Sequence, residues 1–208
     1  MLISSRKFDK IKLTGGNMIY TFEDLKLKYS DFTDAKGKIR RETENGNLIK
    51  IRRGLYESDK AVSGKYLAGS IFGPSYLSFD YALAEYSLIP EAVYNTYTSA
   101  TFQKNKTKIY ENQFGVFTYR DIPAKVYPLG IILHQDNNYA YQIATPEKAL
   151  CDKLYSLPQV NSIADLYELL FSDLRIDEQS FMNLDKRALQ ELAKLYRASN
   201  LNLLIKLI

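Results

Sequence analysis

The chain has 208 residues, 46% hydrophobic and 25% charged, with a formal net charge of +4 at pH 7. This is a globular composition, long enough for one large domain or two small ones, and no run approaches the roughly 18 consecutive apolar residues of a membrane span. The single cysteine, Cys151, excludes an internal disulfide and a Cys-rich zinc site. The opening MLISSRKFDKIKL has no apolar stretch of signal-peptide length, so a cytoplasmic protein is expected.

In chain order, residues 1–14 read as a short helix with Phe8 and Ile11 inward, followed by a turn at Gly15-Gly16-Asn17. Thr21 reads as the N-cap of a helix running to Tyr29, with Glu23 and Asp24 in its first turn. Ser30 or Asp31 is expected to cap the next helix, whose inward face would be Phe32, Ala35, Ile39 and Thr43 and whose end is Asn45-Gly46. Leu48 to Ile51 and Leu55 to Tyr56 then read as two strands joined through Arg52-Arg53-Gly54. Helix, turn, helix and hairpin is the order of a winged helix-turn-helix.

A polar linker, Glu57 to Ser63, leads to helices expected at 64–72 and 79–87, the second capped by Ser78 and closed off by Pro90. Runs rich in Tyr, Thr, Val and Phe predict strands at 93–102, 108–111, 114–120, 127–134 and 139–143. Helices are expected again at 146–156, 162–172 and 185–198, and the apolar stretch Leu201 to Ile208 should dock on the core. The expected fold is α+β: a winged helix-turn-helix at 1–58 and a mixed α+β domain at 59–208.

Charge separates these two parts. Residues 1–58 carry 13 Lys and Arg against 8 Asp and Glu, a net of +5, whereas the rest of the chain nets −1. On the helix from Asp31 to Asn45, at 100° per residue, Asp34, Gly37, Lys38 and Arg41 lie opposite the apolar face, flanked by Thr33, Lys36 and Arg40. A major-groove helix needs donors for base edges and cations for phosphates on its outward face. Gly37 either lets the backbone approach DNA closely or is a tolerated helix glycine. Lys50, Arg52 and Arg53 make the following hairpin cationic as well. Double-stranded DNA is therefore the expected partner of Thr33, Lys36, Gly37, Lys38, Arg40, Arg41, Lys50, Arg52 and Arg53.

Three segments add a resemblance. They are the hairpin run from Asn45 to Tyr56; Pro74-Ser75-Tyr76-Leu77-Ser78-Phe79 with Ala82-Leu83; and Ala144-Thr145-Pro146-Glu147-Lys148-Ala149-Leu150 with Asp152. Together they resemble the AbiEi family of antitoxins, from bacterial type IV toxin–antitoxin systems linked to abortive infection. The likeness covers most of residues 18–156. It implies a winged helix that represses the toxin–antitoxin operon. It also implies a second domain that neutralises a nucleotidyltransferase-like toxin without a stable complex. Read physically, the third segment is a helix start: Thr145 caps, Pro146 fits the first position and Glu147 meets the dipole.

No catalytic constellation, metal set or cofactor motif is present in the sequence, so a non-enzyme without cofactor is expected. His134, the lone histidine, has no second histidine or nearby cysteine to work with, and Cys151 lies on an apolar helix face. Two alternatives stay open: a ligand-sensing regulator with a Tyr-rich second domain, and a nuclease using Asp121 near Lys125. The basic loop from Gln103 to Lys108 is either a solvated turn or a contact for DNA or a partner.

Overall fold

A computed structural model describes residues 19–90, 94–136 and 138–208; the helix and turn expected within 1–17, and Val93, lie outside them. The chain is α+β. Strand β1 (Ile19–Thr21) runs directly into helix α1 (Phe22–Lys28) because Thr21 serves both. Its side chain accepts from Asp24 N at 3.2 Å while the Asp24 carboxylate accepts from Thr21 N at 2.8 Å. Two helix-start donors are thus satisfied reciprocally.

Helix α2 (Ala35–Glu44) begins four residues later than the sequence predicts. Its cap is Asp34, not Ser30 or Asp31; the Asp34 carboxylate accepts from Gly37 N at 2.9 Å. A start at Asp31 would place Asp34 inside the helix, where a short carboxylate competes with the helix for backbone donors. Phe32, expected inward, is therefore in the preceding turn and 49% exposed, edge-on to Tyr29.

Strands β2 (Ile49–Arg52) and β3 (Leu55–Glu57) form the hairpin, and β1 pairs with β3, giving an antiparallel sheet in the order β1-β3-β2. Arg53-Gly54 joins the two strands, and Gly54, at φ +79°, takes the left-handed conformation that costs glycine least. This sheet is covered on both faces. On one, Leu48 packs with Leu25 of α1 and Ile39 of α2, with Tyr20 and Tyr56 alongside. On the other, Ile49, Ile51 and Leu55 join the main core of the molecule. Asn112 Nδ2 also donates to Ile51 O at 3.2 Å.

The main core is built on a six-stranded sheet. Helix α3 (Gly64–Ile71), strand β4 (Tyr76–Leu77) and helix α4 (Phe79–Glu85) precede β5 (Thr96–Thr101), β6 (Lys108–Asn112), β7 (Gly115–Asp121), β8 (Ile131–Asp136) and β9 (Tyr139–Ala144). The strand order is β6-β7-β5-β4-β9-β8, with β4/β9 and β5/β7 parallel and the other pairs antiparallel. The strand expected from Tyr127 begins only at Ile131. Val126 N and Leu129 N close turns instead, on Pro123 O and Val126 O, and Pro128 has no N–H to give a ladder.

Ser78 occupies the cap position of α4 without capping it. Thr98 of β5 substitutes: its Oγ1 accepts from Tyr81 N at 3.0 Å and donates to Ser78 O. Helix α4 ends at Glu85, well before Pro90. Helix α5 (Pro146–Ser156) has the predicted bounds and the predicted Thr145 cap. Helix α6 (Ile163–Glu168) continues as a π-helical turn, Leu169–Asp173, before α7 (Glu178–Met182), α8 (Lys186–Tyr196) and α9 (Ser199–Leu207). The apolar end of the chain is thus α9, with Leu201 and Leu204 fully buried in the main core. Asn200 fixes it there. Its amide donates to Leu154 O and Pro158 O and accepts from Val160 N. Among the described residues no helix is long and apolar enough to cross a membrane.

Candidate nucleic-acid interface

Helix α2 presents Ile39 to the small core, so its far side faces solvent. That side carries Lys36, Arg40 and Arg41, all exposed, and Thr33 is exposed in the turn before it. Arg40 makes only a loose 3.7 Å pair with Glu44, both largely exposed. Such a pair contributes little and is readily exchanged for another anion.

Two of the expected contact residues do something else. Lys38 is half-buried: its ammonium donates to Glu42 and lies 5.3 Å from the Phe32 ring centroid and 5.9 Å from that of Tyr29. Glu42 also accepts from Asn47 Nδ2 at 2.8 Å. The donated hydrogen bonds, Lys38 first, hold the Glu42 carboxyl below its ordinary range. Lys38 is therefore a clamp between α2, the Phe32 turn and the entry to the hairpin. Gly37 has a local reason as well. A Cβ there would stand 2.0 Å from Asp34 Oδ2, so the glycine makes room for the capping carboxylate. Asp34 itself, expected on the outward face, is the cap.

In the hairpin, Lys50, Arg52 and Arg53 are all exposed. A register shift between Lys50 and Arg52 marks a bulge, which re-aims the strand just before its tip. Arg52 lies within electrostatic reach of the Tyr119 hydroxyl on β7, where burial dominates and pushes that hydroxyl up. The exposed candidates are thus Thr33 in the turn before α2, Lys36, Arg40 and Arg41 on α2, and Lys50, Arg52 and Arg53 on the hairpin that follows, whereas Lys38 and Gly37 are occupied within the fold.

The other two segments of the resemblance meet inside the main core. Lys148 and Asp152, one turn apart on α5, both have no exposed surface. Lys148 Nζ donates to Asp152 Oδ1 at 3.0 Å and also to the Tyr196 hydroxyl of α8, which in turn donates to Asp152. Tyr76 OH and Ser78 Oγ donate to Asp152 Oδ2 at 3.0 and 2.7 Å. This explains why Ser78 does not cap its helix. Burial first, then the Asp152 carboxylate, pushes Tyr76 and Tyr196 far above the usual phenol range, so both stay protonated donors at neutral pH. Burial lowers Lys148 while Asp152 opposes that shift. Glu147, expected to serve the α5 dipole, is nearly buried and accepts from Asp185 N at the start of α8. Sequence reasoning missed the pair; its one signal was Lys and Asp at i, i+4 among Ala149, Leu150, Cys151 and Leu154.

Asp121 accepts from Thr101 Oγ1, Lys104 N and Asn105 N, so its carboxylate organises the 103–107 loop. His134 is exposed and stacks on Tyr141, with ring centroids 5.2 Å apart. Cys151 is fully buried, and burial raises its thiol well above the ordinary range. Among the described residues no group of three or more His, Cys, Asp or Glu is placed to hold a metal ion.

Comparison with known proteins finds no matching family profile and no matching curated protein. Among solved structures, the crystal structure of the RV2827C protein from Mycobacterium tuberculosis is similar, with a TM-score of 0.58. The match covers 88% of this chain and 68% of that one at 14% identity. At that identity the likeness speaks for the fold alone.

Proposed function

We propose that this chain is a transcriptional repressor that binds duplex operator DNA through a winged helix-turn-helix at residues 1–58. The observation that carries the reading is that Lys36, Arg40 and Arg41 on α2 and Lys50, Arg52 and Arg53 on the hairpin that follows it are all exposed. A helix for base edges next to a cationic hairpin for phosphates is the division of labour that DNA recognition needs. Arg40 and Arg41 have the length and the donor fork for guanine edges. Helix–turn–helix followed by hairpin supports the winged-helix assignment.

The same reading makes the protein the antitoxin of a type IV toxin–antitoxin pair, repressing its own operon and opposing a nucleotidyltransferase-like toxin. What supports this part is the resemblance in three ordered segments. Two of them supply four members of one buried cluster, Tyr76, Ser78, Lys148 and Asp152, which Tyr196 completes.

The test is a gel-shift titration of the full chain against the DNA upstream of its own gene and against a scrambled duplex. Preference for the upstream DNA is expected. Arg41→Ala should weaken specific binding by about 1–3 kcal/mol for a lost base-edge contact. Arg53→Ala should flatten the plot of log affinity against log salt by about 0.9 for a lost phosphate contact. Equal affinity for both duplexes removes the repressor reading. Failure of the chain, supplied from an independent promoter, to rescue cells expressing an adjacent nucleotidyltransferase-like gene removes the antitoxin reading.

A further inference from the structure

Strand β8 closes the large sheet on one side, and among the described residues no strand lies beyond it. Thr145 N donates to Gly130 O, and the β8–β9 register, from Ile131↔Ala144 to Asp136↔Tyr139, continues from that bond. Bonded and non-bonded pairs alternate along an antiparallel ladder. Ile132, His134 and Asp136 therefore bond to β9, and Ile131, Leu133 and Gln135 turn their backbone N–H and C=O groups outward. Residues 132–136 are all exposed, Leu133 at 58% and Ile132 at 39%. Such an edge invites another strand, and proteins commonly guard against this with charged residues, Pro or a bulge. The opposite edge strand, β6, carries Lys108 and Glu111. By contrast, β8 has no Lys, Arg or Pro, and its register with β9 is unbroken.

We propose that β8 is the interface of a homodimer, in which it pairs antiparallel with β8 of a second copy about a two-fold axis at Leu133. The occupant is a second copy because the strand is complementary to itself. About that axis Ile131 faces Gln135, Ile132 faces His134 and Leu133 faces Leu133, so the outward N–H and C=O groups of Ile131, Leu133 and Gln135 are all bonded. An axis at Ile132 or His134 would instead leave Gln135 or Ile131 beyond the end of the facing strand. Asp136, the one acid of the strand, falls opposite Gly130, so no like charges meet. The same patch serves both copies, as a two-fold interface requires, and the exposed Ile132 and Leu133 are covered in each. The interface is independent of the DNA reading.

Sedimentation velocity of the full chain without DNA, over a range of concentrations, tests it and should show a reversible dimer. Leu133→Lys sets two ammonium groups opposite each other and should raise the dimer dissociation constant about tenfold or more. Leu133→Pro removes only an outward N–H, so it should weaken the dimer as well while the β8–β9 ladder stays intact. Facing residues of a bonded antiparallel pair have α-carbons about 5.5 Å apart, within disulfide range. Leu133→Cys should therefore give a covalent dimer on mild oxidation, whereas Met182→Cys, at a position 65% exposed on α7, should not. Cys151 is buried, so the native chain should stay uncross-linked. A chain that is monomeric at every concentration, a dimer that either variant at Leu133 leaves unchanged, or equal cross-linking at the two cysteine positions overturns the proposal. So does a monomer whose Leu133 amide resists hydrogen exchange, since residues 1–18 of the same chain would then cover the edge.

Discussion

Lys148 and Asp152 each lose water completely, and each is the other's main compensation for that loss. Removing one member of such a pair leaves a buried charge alone and typically costs about 3–5 kcal/mol. Lys148→Met should therefore lower the urea midpoint strongly. The informative change is Asp152→Asn, which keeps acceptor capacity for Ser78 and Tyr76 but carries no charge. In the native background it strands Lys148 and should destabilise. In the Lys148→Met background it removes the stranded charge and should stabilise, and this reversal of sign is what paired urea titrations would read. Asp152→Asn destabilising in both backgrounds would mean that the hydrogen bonds, not the charge pair, dominate. The pair was hard to read from sequence because an i, i+4 Lys–Asp spacing looks the same on a solvated helix. Only Tyr76, Ser78 and Tyr196, from distant segments, define its surroundings.

At the scale of elements, the start of α2 shows one residue's role being set by another. Asp34 caps the helix, and Gly37 leaves space for its carboxylate. Losing the cap costs about 1 kcal/mol, and replacing a helix glycine by alanine returns about 0.5–1 kcal/mol. Gly37→Ala alone should thus be near neutral, since its Cβ displaces the carboxylate. In an Asp34→Ala background the same change should stabilise by about 0.5–1 kcal/mol. Equal effects in both backgrounds, measured by thermal denaturation, would show that the cap tolerates the methyl group. The longer elements were legible: α1, α5, α8 and most strands follow from caps, periodicity and β-branched runs. Those missed have physical reasons. β4 has two residues, too few to show a period, and exists because Leu77 pairs with Ile143 and Tyr76 with Ala100. The Phe32 turn was read as helix because Phe32, Ala35 and Ile39 fit a helical face on which only Ile39 is fully buried. On the candidate interface, the exposed cations were readable from spacing. The capture of Lys38 by Glu42, Phe32 and Tyr29 was not, because it depends on where the turn places those rings.

For the molecule as a whole, the three-stranded sheet is the decisive element, because it has a face in each hydrophobic cluster. Residues 1–58, cut from the rest, would expose Ile49, Ile51 and Leu55. Three such side chains contribute about 5–9 kcal/mol at 1.5–3 kcal/mol each. That is comparable to the whole stability of a typical domain, about 5–15 kcal/mol. The fragment is therefore expected to show no cooperative thermal transition by circular dichroism, whereas the full chain melts cooperatively. A sharp transition in the fragment would mean that its small core around Leu25, Ile39 and Leu48 suffices. Sequence reading separates the two parts at the polar linker after Tyr56, because charge and polarity change there. The alternation of buried and exposed residues in Ile49–Arg52 does not reveal that the buried set belongs to the larger core. A sheet shared in this way makes stability common property. A ligand that grips the hairpin only when the chain is folded adds RT ln(1 + [L]/Kd) to the free energy of unfolding. A molecule held at Arg53 would then protect Leu204, at the far end of the chain, from solvent without touching it.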